Sequence, residues 1–443
     1  MTKKILSSSR RDFLKAGTIA GAVALSGVSM FRAHAAESNQ LRVGLIGCGG
    51  RGRGAAENAL KADPNNILVA VGDAFPEAAQ GAVELFKNSD VASQVKVTPE
   101  TVFVGLDCYK HVIEACDVVL LCEPPGFRPI SLKAAVDAGK QIFCEKPVAV
   151  DIPGLKSVIE SAKKAKEKKL NLVSGLCWRY HPDVVDIMNR VLDGAVGDII
   201  NINETYLTSR LWTRKRQPGD SEMKFQVRNW YNFTWLSGDF NIEQHIHSLD
   251  KAVWANKNQA PVSAVGVGGR MCRVEQPAYG NIWDSFGIMY EFPGGVTCNA
   301  FCRQIDNCYN NTDDYIYGTK GKAIVLSRKI EGANPYQIKG AFNAGAMYDL
   351  EHVELFKAIR GNRDYINNGE YMANSTLTGI MGRMAAYTGK RITLEEVMKD
   401  ETSLSPDGYT WESNPSTLPD ERGRYKIALP GVKEGYGYYG QQF

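Results

Sequence analysis

The sequence predicts an α/β protein: an N-terminal doubly wound parallel sheet, then a C-terminal α/β domain built on a large, mainly antiparallel open sheet. Three observations predict it. Short apolar runs alternate with helical stretches up to about residue 165, which is the rhythm of parallel βαβ units. A glycine-rich turn, Gly47-Cys48-Gly49-Gly50-Arg51-Gly52, stands directly between the first apolar run and a helical stretch from Ala55 to Lys61. Beyond residue 165, longer alternating segments follow one another, separated by Gly, Asn and Pro, as antiparallel strands with one solvated face do.

The amino terminus comes first. Ser9-Arg10-Arg11-Asp12-Phe13-Leu14-Lys15 precedes the uncharged stretch Ala16 to Met30 and then Ala33-His34-Ala35. Charge, apolar core and small-residue site in that order read as an export signal. The twin arginines resemble a twin-arginine signal, a route for folded, cofactor-loaded proteins. The expectation is a signal peptide over 1–35, cleavage after Ala35, engagement of the twin-arginine export machinery and a periplasmic destination. The apolar stretch is too short and too rich in Gly and Ser for a stable membrane span.

Residues 1–35 hold six Lys/Arg and one Asp, leaving 46 basic and 48 acidic residues of the full 52 and 49. That near-neutral balance gives no case for nucleic acid. The run Lys163, Lys164, Lys166, Lys168 and Lys169 lies on a predicted helix beside Glu160 and Glu167, the pattern of a solvated helix face. Among the ten cysteines, Cys48, Cys122 and Cys144 fall on or beside predicted buried strands, where cysteine behaves as a small apolar residue. Cys298 and Cys302, four apart on one predicted strand, are too distant to bond to each other. No Cys/His spacing matches a structural zinc site.

About 400 residues after the signal suggest two domains, 36–165 and 166–443. In the first, strands are predicted at Leu41–Gly47, Ile67–Asp73, Val118–Cys122 and Gln141–Cys144, with a helix over Ile130–Gly139. Gly47 permits the tight turn, Gly49 and Gly50 leave room for a pyrophosphate at the helix amino terminus, and Gly52 allows close helix packing. Arg51 is placed either to neutralise a phosphate or to face solvent. Asp73 ends the next strand, where a carboxylate accepts from a ribose 2′-OH and repels a 2′-phosphate, favouring NAD over NADP. This is the Rossmann pattern. Glu123-Pro124-Pro125 ends another strand at the same sheet edge and can floor the cofactor site. Glu145-Lys146-Pro147 closes Gln141–Cys144 at the edge where open α/β sheets bind ligands. Burial there can lower the pKa of Lys146 and let it share a proton with a substrate hydroxyl.

In the second domain a strand is predicted at Leu170–Cys177, then at Ile199–Leu207, Val262–Gly269, Ser285–Phe292, Val296–Arg303 and Lys322–Leu326. Arg179 and His181 follow the first of these, where polar side chains suit polyol hydroxyls. Trp178, Tyr180, Trp212, Trp230, Tyr231 and Trp235 crowd the stretch after it; aromatic faces suit sugar rings, and each alone also suits a core. Tyr180, Trp230 and Tyr231 join Arg179 and His181 as candidate substrate contacts. Ile242, Ile246, Leu249 and Val253 form a helical apolar stripe capped by Asp239, with Glu243, His247 and Asp250 on a neighbouring face. A histidine suits removal of a hydroxyl proton, and a carboxylate one turn away can orient it. His245 and His247 diverge on a helix, so no metal site is expected, and His245 also fits a buried, hydrogen-bonded role.

Val43-Gly44-Leu45-Ile46 with the glycine turn, the Pro124-Pro125 strand end, Gly139-Lys140-Gln141-Ile142-Phe143-Cys144-Glu145-Lys146-Pro147, Arg179-Tyr180-His181-Pro182 and the stretch from Gly238 to Asp250 resemble the Gfo/Idh/MocA family, named for glucose-fructose oxidoreductase and inositol dehydrogenase. The resemblance implies a nicotinamide dinucleotide cofactor, a second domain whose open sheet covers the nicotinamide and mediates oligomers, and a carbohydrate substrate. It carries the family's reactive lysine onto Lys146, its histidine onto His247 and its acidic partner onto Glu243. The chain departs from the pattern at Glu123 for threonine, Arg128 for histidine, Glu243 for aspartate and His245 for glycine, so a reshaped, more polar pocket including His245 is expected. The implied activity is an exported, NAD-dependent oxidation of a sugar's secondary hydroxyl with a tightly held cofactor. Two alternatives stay open: a redox-neutral glycosidase or lyase working through a transient keto-sugar, and a noncatalytic sugar-binding protein. An uncovered sheet face favours a homodimer or homotetramer.

Overall fold

The first six strands are β1 (Leu41–Ile46), β2 (Asn66–Asp73), β3 (Val102–Val104), β4 (Val118–Leu121), β5 (Gln141–Cys144) and β6 (Leu172–Ser174). They form one parallel sheet in the order β3-β2-β1-β4-β5-β6. A computed structural model describes residues 39–273, 278–432 and 435–437; the proposed export signal lies outside them. All four residues of β4 are buried, as a strand covered by helices on both faces requires. The covering helices are α1 (Gly50–Ala62), α2 (Pro76–Lys87), α3 (Cys108–Ala115), α4 (Arg128–Asp137) and α5 (Ile152–Glu167). Pro153 in the first turn of α5 and the Asp151 carboxylate, which accepts from Gly154 N–H at 2.8 Å, start that helix. Its basic run is solvated: Lys163 and Lys164 pair with Glu160 and Asp137, and Lys168 Nζ donates to the last carbonyls of α4. Strand order reverses between β1 and β4, which opens a ligand crevice at their carboxyl ends.

Leu172–Ser174, assigned from sequence to the second domain, completes this first sheet as its sixth strand. The predicted strand there is short because Gly175 breaks off beside β5 and Cys177–Tyr180 coil into a single 3₁₀ turn.

The second sheet contains β7 (Ile199–Thr208), β8 (Ser263–Gly269), β9 (Ser285–Glu291), β10 (Thr297–Gln304), β11 (Asp314–Gly318), β12 (Gly321–Ile324), β13 (Lys329–Gly332), β14 (Tyr336–Gln337) and β15 (Ile392–Thr393). Their order is β14-β13-β12-β11-β7-β10-β9-β8-β15. Among the described residues of this sheet, only the central β7–β10 pair is parallel. Alternation in β9 and β10 puts Phe286, Ile288, Tyr290, Cys298, Ala300 and Cys302 on a buried face. Val267, Met289 and Phe301 stay 73%, 49% and 50% exposed on the other.

Helices α6 (Pro182–Leu192), α7 (Glu222–Arg228), α8 (Phe240–Glu243), α9 (Ile246–Ala255), α10 (Ala346–Ile359) and α11 (Gly369–Thr388) follow the first domain. α9 and α11 pack together and cover the buried face of the second sheet. α10 turns back instead and lies on α1, so that Leu355 and Phe356 share a core with Leu45, Ala55 and Phe143. Among the described residues no helix is long and apolar enough to cross a membrane.

Candidate active site

The glycine turn sits at the sheet's crevice as its sequence requires. Gly47 has φ +88°, and a Cβ there would lie 2.6 Å from the Cys122 carbonyl carbon and the Glu123 nitrogen. A Cβ on Gly52 would lie 1.8 Å from Gly47 O, so α1 can approach the turn only with glycine there. Gly49 and Gly50 face open space. Asp73 braces the turn by accepting from Cys48 N–H at 2.7 Å and Phe75 N–H at 2.9 Å. Burial pushes its carboxyl up, and those backbone donors pull it partly back. Together Gly49, Gly50, Asp73 and Pro124 help line a cavity of about 600 Å³. The bare amide turn at a helix amino terminus, with no Cβ in the way, fits a dinucleotide's pyrophosphate.

The opposite wall comes from beyond the first sheet: Trp212, Arg214, Arg228, Trp230 and Tyr409. Arg228 stacks 4.2 Å over Phe75 and pairs with Glu77 at 2.9 Å, while Trp411 lies 5.6 Å from Phe75, ring to ring. Leu404 N–H donates to Asp151 at 2.7 Å. The Pro/Gly/Tyr-rich tail thus straps the cavity within its own chain. Trp230 lies in this wall, edge-on to Trp212 at 5.8 Å, rather than in the interior.

Arg51, expected at a phosphate, lines the cavity but commits its guanidinium to carboxyl partners. Its guanidinium bonds Glu145 and Glu351 and stacks on Tyr348, 4.7 Å away, and on Phe143, 5.7 Å away. Two buried carboxyls outcompete an open groove because an unpaired buried acid is costly. Burial pushes both acids up. For Glu145 the nearby Arg51 and Lys146 outweigh burial and hold it below its ordinary value, whereas Glu351 stays well above it.

Glu145 also accepts from Lys146 N–H at 3.0 Å, and the Lys146–Pro147 peptide is cis. Lys146 Nζ donates to Glu243 O at 2.6 Å and Glu243 Oε1 at 3.2 Å. Arg128 clamps the loop from below, donating to the carbonyls of Glu123 and Pro147. The buried Glu123 carboxyl accepts from Ser131 and is raised by burial. The two departures at 123 and 128 thus form one buried unit tying two strand ends together.

The helix predicted through Ile242 and Val253 is broken. Asp239 has φ +73°, and the N–H groups of both Gln244 and His245 return to Phe240 O. This widened turn separates Glu243 from His247, and no hydrogen bond joins them. Glu243 holds Lys146 instead of orienting His247. His247 keeps a buried, unpartnered Nδ1. Burial, then Lys146 and Lys251, hold its imidazole well below the ordinary histidine value, which favours the neutral ring.

Other sequence-picked residues serve the fold. Arg179 clasps both Asp250 oxygens at 2.8–3.0 Å, bonds Asn258 and sits 4.0 Å over Tyr371. Tyr180 OH donates to Asn368 at 2.7 Å, and His181 Nε2 meets Asn343 O at 3.0 Å. Tyr231 is buried and accepts from Gln304. His245 is fully buried, its Nδ1 3.0 Å from Asn241 Oδ1, its pKa driven to about 3 by burial and Lys251. Each is held by partners within the protein.

Sequence reasoning missed two groups. Glu351 and His352 on α10 stand beneath β5, with His352 stacked on Phe143 at 4.2 Å. Lys251 is buried with Nζ 2.6 Å from Asp314 Oδ2 and donates to His247 O at 2.9 Å. Its acidic side lies on β7 and β11, where Glu204 opposes Asp314. Lys251 follows Asp250 directly, but nothing local in sequence points to Asp314.

Residues 41–171 match the model of the GFO_IDH_MocA oxidoreductase family, NAD-binding Rossmann fold. Over 159 residues the chain is 28% identical to an inositol 2-dehydrogenase of Rhizobium meliloti, covering 36% of this chain and 43% of that protein. Over 228 residues it is 26% identical to a glycosyl hydrolase family 109 protein of Shewanella amazonensis, covering 46% and 47%. The matched region thus spans less than half of either relative. A solved levoglucosan dehydrogenase, in complex with NADH and levoglucosan, shares the fold with TM-score 0.63 at 17% identity, covering 80% of this chain and 99% of that one. Fold and glycine groove define the class, a nicotinamide-dinucleotide-binding Rossmann protein. The oxidoreductase family match is confined to residues 41–171, under a third of the chain, and the likeness to the inositol dehydrogenase is partial as well.

Proposed function

We propose that this chain oxidises a secondary hydroxyl of a sugar or sugar derivative with a tightly held NAD, after export in the folded state by the twin-arginine route. The observation that carries the reading is the Lys146–Glu243 pair, set with neutral His247 at the carboxyl edge beside the glycine groove. Gly47, Gly49, Gly50, Gly52 and Asp73 would hold the dinucleotide, and the Asp73 carboxylate disfavours a 2′-phosphate. NAD supplies a hydride acceptor. Lys146 hydrogen-bonds the carbinol oxygen, Glu243 fixes the ammonium, and His247 takes the hydroxyl proton as the carbon loses hydride. The strap over the groove suits a cofactor retained between turnovers, which a periplasmic enzyme needs. The exposed Val267, Met289 and Phe301 face suits a homodimer or homotetramer.

Purified protein from the periplasm, denatured and assayed by mass spectrometry, should release NAD; an empty supernatant would sink the retained-cofactor reading. Lys146→Met should lower turnover at least about a hundredfold with nucleotide content unchanged. The family 109 relative motivates a second reading, transient oxidation followed by loss of a glycosidic substituent and return of the hydride. Glycoside cleavage without lasting NADH fluorescence selects it over net oxidation.

A further inference from the structure

Tyr206 on β7 and Tyr348 on α10 come from stretches of chain far apart in sequence, yet each lies against a residue bonded or adjacent to the Glu145-Lys146–Glu243 cluster. Tyr348 lies against Arg51, which holds Glu145, the neighbour of Lys146. Tyr206 lies 6.2 Å, ring to ring, from His245, two residues after Glu243. Both side chains are half-buried, and neither hydroxyl has a hydrogen-bond partner among the described residues. Burial raises both phenols; for Tyr206 the next contributions are the Glu243 carboxylate and then Tyr348. Both phenols remain neutral, able to donate and to accept.

We propose that Tyr206 and Tyr348 form a hydroxyl-recognition subsite that grips the non-reacting hydroxyls of a polyhydroxylated ring and thereby selects which carbinol meets Lys146. The inference rests on the carbohydrate reading above and names its specificity residues. Tyrosine suits such contacts, because its ring packs against the apolar face of a sugar while the O–H reaches one hydroxyl. The two elements are anchored independently, Tyr206 by the second sheet and Tyr348 through Arg51 by the nucleotide turn, so the subsite spans the cleft between the sheets. A half-buried phenol left without its partner is disfavoured, which is how such a site rejects a ring lacking one hydroxyl. Trp230 and Trp212, by contrast, stand in the wall of the nucleotide cavity. Arg179, Tyr180 and His181 Nε2 already bond Asp250, Asn368 and Asn343 within the protein.

The test uses the full chain loaded with NAD, with myo-inositol, D-glucose and the monodeoxy glucoses as probes, binding measured by ligand-observed NMR and turnover by steady-state kinetics. Tyr206→Phe and Tyr348→Phe remove one oxygen each and keep the ring. Each is expected to weaken binding of a parent-bound probe about tenfold, to raise KM with kcat changed less than about threefold, and to erase discrimination against one monodeoxy analogue. Nucleotide content and thermal midpoint should stay at parent values, and Tyr309→Phe, at an exposed position, should change nothing. If the parent binds a probe and both variants bind it equally well with discrimination intact, the subsite is wrong while the carbohydrate reading stands. If the parent binds no probe at all, the carbohydrate reading fails and takes the subsite with it.

Discussion

His352→Phe should make the protein more resistant to acid by an amount that grows as pH falls. His352 is 0% exposed, both ring nitrogens lack partners, and burial followed by the Arg51 charge hold its pKa well below 6.5. Glu351, with Oε1 4.0 Å from His352 Nε2, is itself pushed up by burial and offers little compensating charge. The native ring thus stays neutral where the unfolded ring takes a proton. Stability from this residue is present above pH 6.5 and drains as pH falls below it toward the depressed native pKa. The loss is about 1.4 kcal/mol per pH unit, or about 2 kcal/mol by pH 5. Phenylalanine keeps the stack on Phe143 and cannot titrate. His245, His247, Glu204 and the other shifted groups are common to both proteins and cancel in the difference. Equilibrium urea unfolding of parent and variant at pH 7.5, 6.5, 5.5 and 5.0 measures it. A stability difference that stays constant across that range would refute the reasoning, because His352 would then ionise as readily folded as unfolded.

Three further outcomes are expected. Arg179→Lys keeps a charge but loses the fork on Asp250 and the stack on Tyr371, so urea unfolding should show a loss of about 2–3 kcal/mol with KM unaltered; a changed KM with full stability would return Arg179 to the substrate. Gly52→Ala drives a methyl into Gly47 O, and the purified variant should carry no nucleotide by mass spectrometry. Trp411→Ala and Arg228→Ala loosen the strap at Phe75, so bound nucleotide should exchange into labelled NAD about tenfold faster.

The first sheet was legible because its signals are local. Apolar runs, the glycine turn and an acid one strand later lie within thirty-three residues, Leu41 to Asp73. The alternating strands of the second sheet were legible for the same reason, though not their order or the lone parallel pair, which depend on long-range packing. At the site, Lys146, Glu243 and His247 could be picked from spacing, but the widened turn at Phe240–His245 could not, since it answers to the Asp239 backbone and its buried partners Trp283 and Tyr387. Arg179 and Arg51 looked ligand-facing because their acids stand 71 and up to 300 positions away. A charged residue beside a motif is read as functional until its distant partner is seen.

That separation of 300 positions between Arg51 and Glu351 also orders events at the ribosome. The first sheet can form as soon as β6 emerges, but half of the hydrogen-bond partners of Arg51, the stack on Tyr348 and the strap at Trp411 do not exist until most of the chain has been made. A nascent N-terminal half would present the glycine turn with an unfinished back wall. The back wall is therefore completed only once α10 has been made, and a message truncated before codon 351 leaves Arg51 without Glu351.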